Sequence, residues 1–363
     1  MDVLKVTGQN LILACLLGLS LTQLGCQLGY YAQSAYHQGR LLSSRVPLEK
    51  ALQDPTLSET TRHKLQLAQS ARQFAEDEMG LARTKNYTSF VQLDGPHVSY
   101  IVHAAPKTRL EHHLWRFPIV GALPYKGYFQ KQRAEAEAKR LQKRDLDTFV
   151  RGVTAYSTLG WFRDPILSSM LRSQDHRLVN LIIHETVHAT VFIKSNADFN
   201  ERLATFLGNL GTELYYLQLE GPDSETLKQI SAENHDHQLF SDFISSRLEE
   251  LKIWYESVSP ERALAEREEK FSLIQEAFKS ELAPQLKTNA YLRFSELNLN
   301  NALLLSYKTY YYNLDDFQQL YDLLDRNLEK YMSFFVGIQR DPQPQLRLEQ
   351  KIETLQNQLS STH

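Results

Sequence analysis

The segment Asn180-Leu-Ile-Ile-His184-Glu185-Thr-Val-His188-Ala sets two imidazoles four residues apart with a carboxylate between them. On an α-helix that spacing puts His184 and His188 on one face, so both rings can reach a single ion at about 2.0 to 2.1 Å. Glu185 is rotated by about a quarter turn, within reach of the open coordination position, where a water on zinc loses its proton near neutral pH. The chemistry expected is metal-assisted hydrolysis, with Zn2+ as cofactor and Glu185 as the catalytic base. The alternative is a buried helix with two satisfied core histidines. Leu178, Val179, Leu181, Ile182, Ile183, Val187, Val191, Phe192 and Ile193 surround the motif and predict burial on most sides. Unpaired polar groups are costly in such surroundings, and one metal satisfies all three together.

A catalytic zinc takes three protein ligands, so a third should follow closely. Glu201 stands in Asp198-Phe-Asn-Glu201-Arg-Leu-Ala204-Thr205-Phe-Leu-Gly208. On a helix, Phe199, Leu203, Phe206, Leu210, Leu214 and Leu217 form an apolar stripe, while Glu201, Ala204, Thr205 and Gly208 line the opposite side. That second face is small and lets the helix approach the His184 helix, with the carboxylate as its one long side chain. The competing explanation is a capping box, with Asp198 as N-cap and Glu201 folded back on the backbone.

These motifs resemble the gluzincin type of zincin metallopeptidase, in which His-Glu-x-x-His is followed by a glutamate in an Asn-Glu-x-x-Ala setting; the linker before the glutamate is shorter here than in thermolysin-like enzymes. More specifically the chain resembles an aminopeptidase family found as bacterial lipoproteins. The likeness runs from Cys26-Gln-Leu-Gly-Tyr-Tyr-Ala-Gln-Ser through Ala155-Tyr-Ser-Thr-Leu-Gly-Trp-Phe-Arg-Asp-Pro-Ile-Leu and the metal motif to Asn300-Asn301-Ala302 and Thr309-Tyr310-Tyr311. It implies His184, His188 and Glu201 as metal ligands, Glu185 as catalytic acid and base, and Tyr310 as donor to the developing oxyanion. Asn301 is a candidate for orienting a neighbouring substrate group. Gly152-Val-Thr-Ala-Tyr156-Ser157-Thr158 reads either as an edge strand that pairs with an extended substrate, bringing Tyr156 and Ser157 to it, or as an ordinary sheet edge.

The 363 residues, 42% hydrophobic with a net charge of −3, contain ample material for one large or two modest cores. Basic and acidic residues are interleaved, which excludes an extended basic patch and gives no case for nucleic acid. The apolar run from Leu11 to Leu21 is too short to span a bilayer but suits the core of an export signal over residues 1–25. Leu24-Gly25-Cys26 resembles a lipobox, with Gln23 departing from the usual aliphatic residue. Loss of Cys15 with the signal leaves one thiol and no intramolecular disulfide, which favours lipidation of Cys26 and a membrane partner through that lipid. Gln27, rather than Asp, suggests the outer membrane by the sorting rules of such lipoproteins, facing the periplasm.

Residues 26–86 read as a helical segment, with a helix over Thr56 to Met79. Residues 87–195 read as a sheet lobe with strands at Ser89–Leu93, Val98–His103, Leu114–Val120 and Phe149–Ala155, a charged helix over Gln130–Asp147, and the motif helix at its end. Residues 196–340 are almost all helical, and 341–363, rich in Gln and charge, read as a frayed helix or tail. Glu233-Asn-His235-Asp-His237 predicts a solvated loop or helix start rather than a second metal site, since residues two apart share no helix face; His112-His113 is similarly weak. The expected fold is α+β and mostly helical, zincin-like, with a small mixed sheet lobe ahead of the metal helix and a helical C-terminal lobe. The expected function is zinc-dependent hydrolysis of peptide or protein substrates by an aminopeptidase. The alternatives are an envelope endopeptidase and a non-catalytic lipoprotein whose metal site is structural.

Overall fold

The computed structural model describes residues 29–117, 121–155, 162–308 and 314–360. Cys26, Tyr156, Ser157 and Tyr310, with the signal segment 1–25, lie outside the described residues. The chain divides into two compact units, residues 1–45 and 46–363. In the first, residues 29–43 form helix α1. Among the described residues no helix is long and apolar enough to cross a membrane.

The second unit opens with strand β1 (Val46–Pro47), the short helix α2 (Leu48–Leu52) and the long helix α3 (Glu59–Asp77). The Ser58 hydroxyl accepts from the Thr61 amide and caps α3, whose Leu65, Ala68, Ala71 and Ala75 form a fully buried stripe. Strands β2 (Ser89–Val91), β3 (Ser99–Pro106), β4 (Trp115–Phe117), β5 (Gly121–Leu123) and β6 (Tyr125–Tyr128) follow, then helix α4 (Lys131–Gln142), β7 (Leu146–Val153) and β8 (Ile166–Leu167). The strands form three small sheets: β1-β2-β8, which is mixed, β6-β3-β7 and the hairpin β4-β5. Only β2 and β8 pair in parallel among the described residues. Asp94-Gly95-Pro96 and Pro106 interrupt the runs, and proline cannot donate to a ladder. The strand expected from Phe149 is β7, which starts three residues earlier because β3 and β7 pair along their whole length, from Ser99↔Val153 to Pro106↔Leu146.

β3 separates two packing faces. Val102 and Ala104 meet Ala134, Ala138 and Leu141 of α4. Ala105, on the other face, meets Ala302 and Leu305 of helix α9 (Asn301–Lys308). His103 points with Ala105 and is 0% exposed, with the Tyr125 and Phe149 rings 5.8 and 6.3 Å away. Neither ring nitrogen has a hydrogen-bond partner among the described residues. Burial first, then the charges of Arg151 and His112, push its pKa from 6.5 down to about 3. The unfolded chain therefore takes up a proton below the ordinary histidine pKa that the folded chain refuses, and stability falls as pH drops from 6.5 toward 3. That loss amounts to about 2 kcal/mol at pH 5. His103→Leu is expected to gain on the native chain by about that amount between about pH 7.5 and pH 5. Urea unfolding at the two pH values measures it, and an unchanged difference would refute it.

Downstream the unit is helical: α5 (Asp175–Thr190), α6 (Ala197–Glu220), α7 (Glu225–Ser257), α8 (Pro260–Ala277), α9, α10 (Asp315–Leu323), α11 (Leu328–Gly337) and α12 (Pro344–Ser360). Phe240, Ile244, Leu248, Phe271, Phe278 and Phe294 build a core among α7, α8 and the segments that follow. One expectation is corrected here. The His-rich run is neither loop nor helix start but lies inside α7, where Asp236 is 0% exposed and accepts from the Lys287 and Thr288 amides at 2.7 Å each. A carboxylate that satisfies two loop amides is the reason a polar stretch is buried. Of the two readings of the C-terminal stretch, helix is the one seen: most of it is α12, with Leu348 and Ile352 buried; they lie four apart, so a narrow apolar face suffices to dock it.

Candidate metal centre

α5 carries the motif, and its burial follows from the sequence around it. Leu178, Val179, Ile182, Ile183 and Val187 are all 0% exposed. α3 packs on one side and α6 on another. The approach of α6 depends on two glycines. A Cβ on Gly208 would lie 3.3 Å from the His184 Cβ, and one on Gly211 only 2.5 Å from the Met79 sulfur. The opposite face of α6 packs through Phe199 and Phe206 against Phe317, with ring centroids 5.3 and 6.1 Å apart. The apolar stripe thus holds from Phe199 to Phe206 but not to Leu217, which is 45% exposed while the neighbouring Tyr215 and Tyr216 are buried, so the packed face of α6 has shifted by that point.

Glu201 faces the imidazoles. Its carboxylate oxygens lie 3.5 Å from His184 Nε2 and 3.4 Å from His188 Nε2, and the two Nε2 atoms are 3.2 Å apart. A tetrahedral zinc with ligands at about 2.0 to 2.1 Å needs donor atoms about 3.3 to 3.4 Å apart, so the triad has the spacing of such a sphere. The capping-box alternative fails: the N-cap of α6 is Asn196, and no side chain caps it. Among the described residues this is the one group of three or more His, Cys, Asp or Glu side chains positioned to share a cation, and no fourth joins it.

The electrostatics agree with the geometry. Burial works to raise the Glu201 carboxyl, but hydrogen bonds from His184 and His188 outweigh it and hold the group far below the usual carboxylate range. Burial works to lower His188, yet the Glu201 and Glu185 carboxylates push it up. These attractions are what a cation would replace. Glu185 behaves differently: burial raises its carboxyl, the imidazoles only partly offsetting this, and its Oε2 is enclosed with no hydrogen-bond partner among the described residues.

Several positioning residues escape a reading of the motif alone. Asn200, 3% exposed, clasps the loop between the helices: its Oδ1 accepts from the Ile193 amide at 2.9 Å and its Nδ2 donates to the Ile193 carbonyl at 2.8 Å. Ser195 in that loop adopts φ 64°, a conformation a non-glycine residue takes only under such constraint. Arg202 ties α6 outward, donating to both Asp316 oxygens at 2.7 and 2.8 Å and to Gln345 at 2.8 Å, with its guanidinium over the Phe317 ring. Glu201 is therefore held between two anchored neighbours. Their adjacency to a candidate ligand was the available signal. Tyr87, at φ 57° and 3% exposed, and Asp164 form a further wall: the Tyr87 amide donates to the Asp164 carbonyl at 2.7 Å. Burial, then the Glu185 and Asp164 charges, drive the Tyr87 phenol well above its ordinary value, so both lie near the candidate base.

Asn301 sits elsewhere. It is 0% exposed, its Oδ1 accepts from the Tyr255 hydroxyl, and its Nδ2 donates to the carbonyls of Pro106 and Arg109. In the structure its side-chain amide ties the start of α9 to α7 and to the segment after β3.

No curated protein and no solved structure matches the chain. A family model described as "Putative aminopeptidase" matches residues 29–349, which spans the triad, Glu185 and nearly all of the described helices and strands. On that match, the chain belongs to the putative aminopeptidase family.

Proposed function

We propose that the protein is a zinc-dependent peptidase of gluzincin type that removes the N-terminal residue of a peptide or protein. The observation that carries this reading is the spacing of His184, His188 and Glu201, donor atoms 3.2 to 3.5 Å apart with no fourth described ligand, beside Glu185, whose Oε2 has no hydrogen-bond partner among the described residues. Structural zinc sites are closed by four protein ligands, whereas catalytic ones keep a position open. The order of the elements supports a zincin-like arrangement, with strands ahead of α5 and helices after it.

A divalent ion held there supplies Lewis acidity toward the scissile carbonyl and acidifies a water. The chain does the rest. His184 and His188 hold the ion through neutral Nε2 atoms, and Glu201 through an ionised carboxylate. Glu185 takes the proton of the attacking water and returns it to the leaving amine. Tyr310, assigned by resemblance alone, donates to the developing oxyanion. Export, acylation of Cys26 and anchorage at the outer membrane, facing the periplasm, complete the proposal and rest on residues 1–27.

The test combines metal analysis of the purified protein with hydrolysis of paired peptides bearing free and N-acetylated ends. About one zinc per chain is expected, with cleavage of the free-amine peptides only. Equal cleavage of both sets would favour the endopeptidase alternative, and stoichiometric zinc without cleavage of either would favour the structural one.

A further inference from the structure

α5 and α6 run antiparallel, so successive turns away from the triad bring new pairs of residues together. One turn N-terminal of His184 stands Asn180, and one turn C-terminal of Glu201 stands Thr205. Both line a pocket of about 420 Å³ that reaches outward past Asn209 to α7 and Tyr291. The pocket therefore begins about one helical turn, roughly 5 Å along the axes, from the metal ligands.

Its polar groups are unequally committed. On the far wall, Glu233 receives His176 Nε2 and Arg177 Nε, each at 3.1 Å, so those charges are compensated within the protein. On the near wall, the Asn180 Nδ2 donates to the Asn209 Oδ1 at 2.9 Å. Each amide has used one of its two ends. The pair is left with one acceptor and one donor, and exchanging O and N in both amides leaves the same complement. Neither leftover group, nor the Thr205 hydroxyl, has a hydrogen-bond partner among the described residues. A group that presents both a donor and an acceptor at amide spacing answers this wall; a branched aliphatic side chain would leave both groups unpaired, at the cost of a buried unsatisfied polar pair.

We propose that this pocket is a substrate subsite for an amide, supplied either by a glutamine or asparagine side chain next to the scissile bond or by the next peptide bond of the substrate. The inference deepens the peptidase reading and rests on it for the ligand's identity as a peptide, but it makes no use of the metal. Its test is binding to metal-stripped protein, followed by calorimetry, of Ala-Gln-Ala, Ala-Leu-Ala and Ala-Ala-Ala. A side-chain amide predicts that Ala-Gln-Ala binds about 10-fold tighter than Ala-Leu-Ala, and that Asn209→Leu or Thr205→Val erases this preference. A backbone amide predicts similar affinities for the three peptides, all falling in both variants. If all three bind equally and neither variant changes any of them, the proposal is overturned. Should Asn209→Leu fail to fold, Thr205→Val, which removes one hydroxyl at nearly constant volume, carries the test alone. Metal content of the variants is measured in parallel. Intact zinc binding and hydrolysis with no amide effect would sink the subsite and leave the peptidase standing; an amide effect in a protein that hydrolyses nothing would do the reverse.

Discussion

Glu185→Gln is expected to lower kcat for peptide hydrolysis by about 10²- to 10⁴-fold, the range supplied by one positioned general base, with the metal content unchanged. Glutamine keeps the shape and polarity of the side chain but cannot take a proton. Glu185 is not one of the three atoms that share the metal-sized space, so its replacement leaves the spacing of His184, His188 and Glu201 intact. The enclosed, unpartnered Oε2 explains why the effect should be large: nothing else among the described residues occupies that oxygen, and burial keeps its carboxyl closer to the range of a working base than an exposed glutamate would be. Side-by-side measurement of zinc content and kcat in the native and variant proteins decides it. Equal rates would remove Glu185 from the chemistry, whereas loss of zinc would make it a structural residue.

The second large effect concerns stability. Asp147 on β7 and Arg267 on α8 form an ion pair with side chains only 8% and 6% exposed. The same Asp147 oxygen accepts from the Asn301 amide at 3.0 Å, and Arg267 also donates to the Lys107 carbonyl at 2.8 Å. Asp147→Ala leaves the buried guanidinium with only the exposed Glu268 carboxylate, 3.3 Å from its Nε, and orphans the first amide of α9. The expected cost is about 3 to 5 kcal/mol in urea-unfolding free energy. The double variant Asp147→Leu with Arg267→Met should cost less than Asp147→Ala, because no charge is then left uncompensated. A single-variant loss below about 1 kcal/mol would show that solvent reaches the pair.

What the sequence determined by itself is local. Four-residue spacing puts His184 and His188 on one face of any α-helix, whatever surrounds it, and the run of Leu, Ile and Val about them required burial. The apolar positions of α3 and the small face bearing Gly208 were legible for the same reason: helix periodicity is set by the backbone hydrogen bonds of the element itself. What only the tertiary structure decided is which elements meet. Glu201 could fold back as a cap or reach across to the imidazoles, and the close approach at Gly208 and Gly211 together with the Asn200 clasp selected the second. The Asn301 amide is tied to Tyr255 and two distant carbonyls. The Gln-rich end became a docked helix through two buried side chains, and the polar run around Asp236 became interior because two loop amides needed a carboxylate. In each case the deciding partner lies on another element, and the free energy of burying or pairing a polar group is fixed by that partner rather than by sequence neighbours.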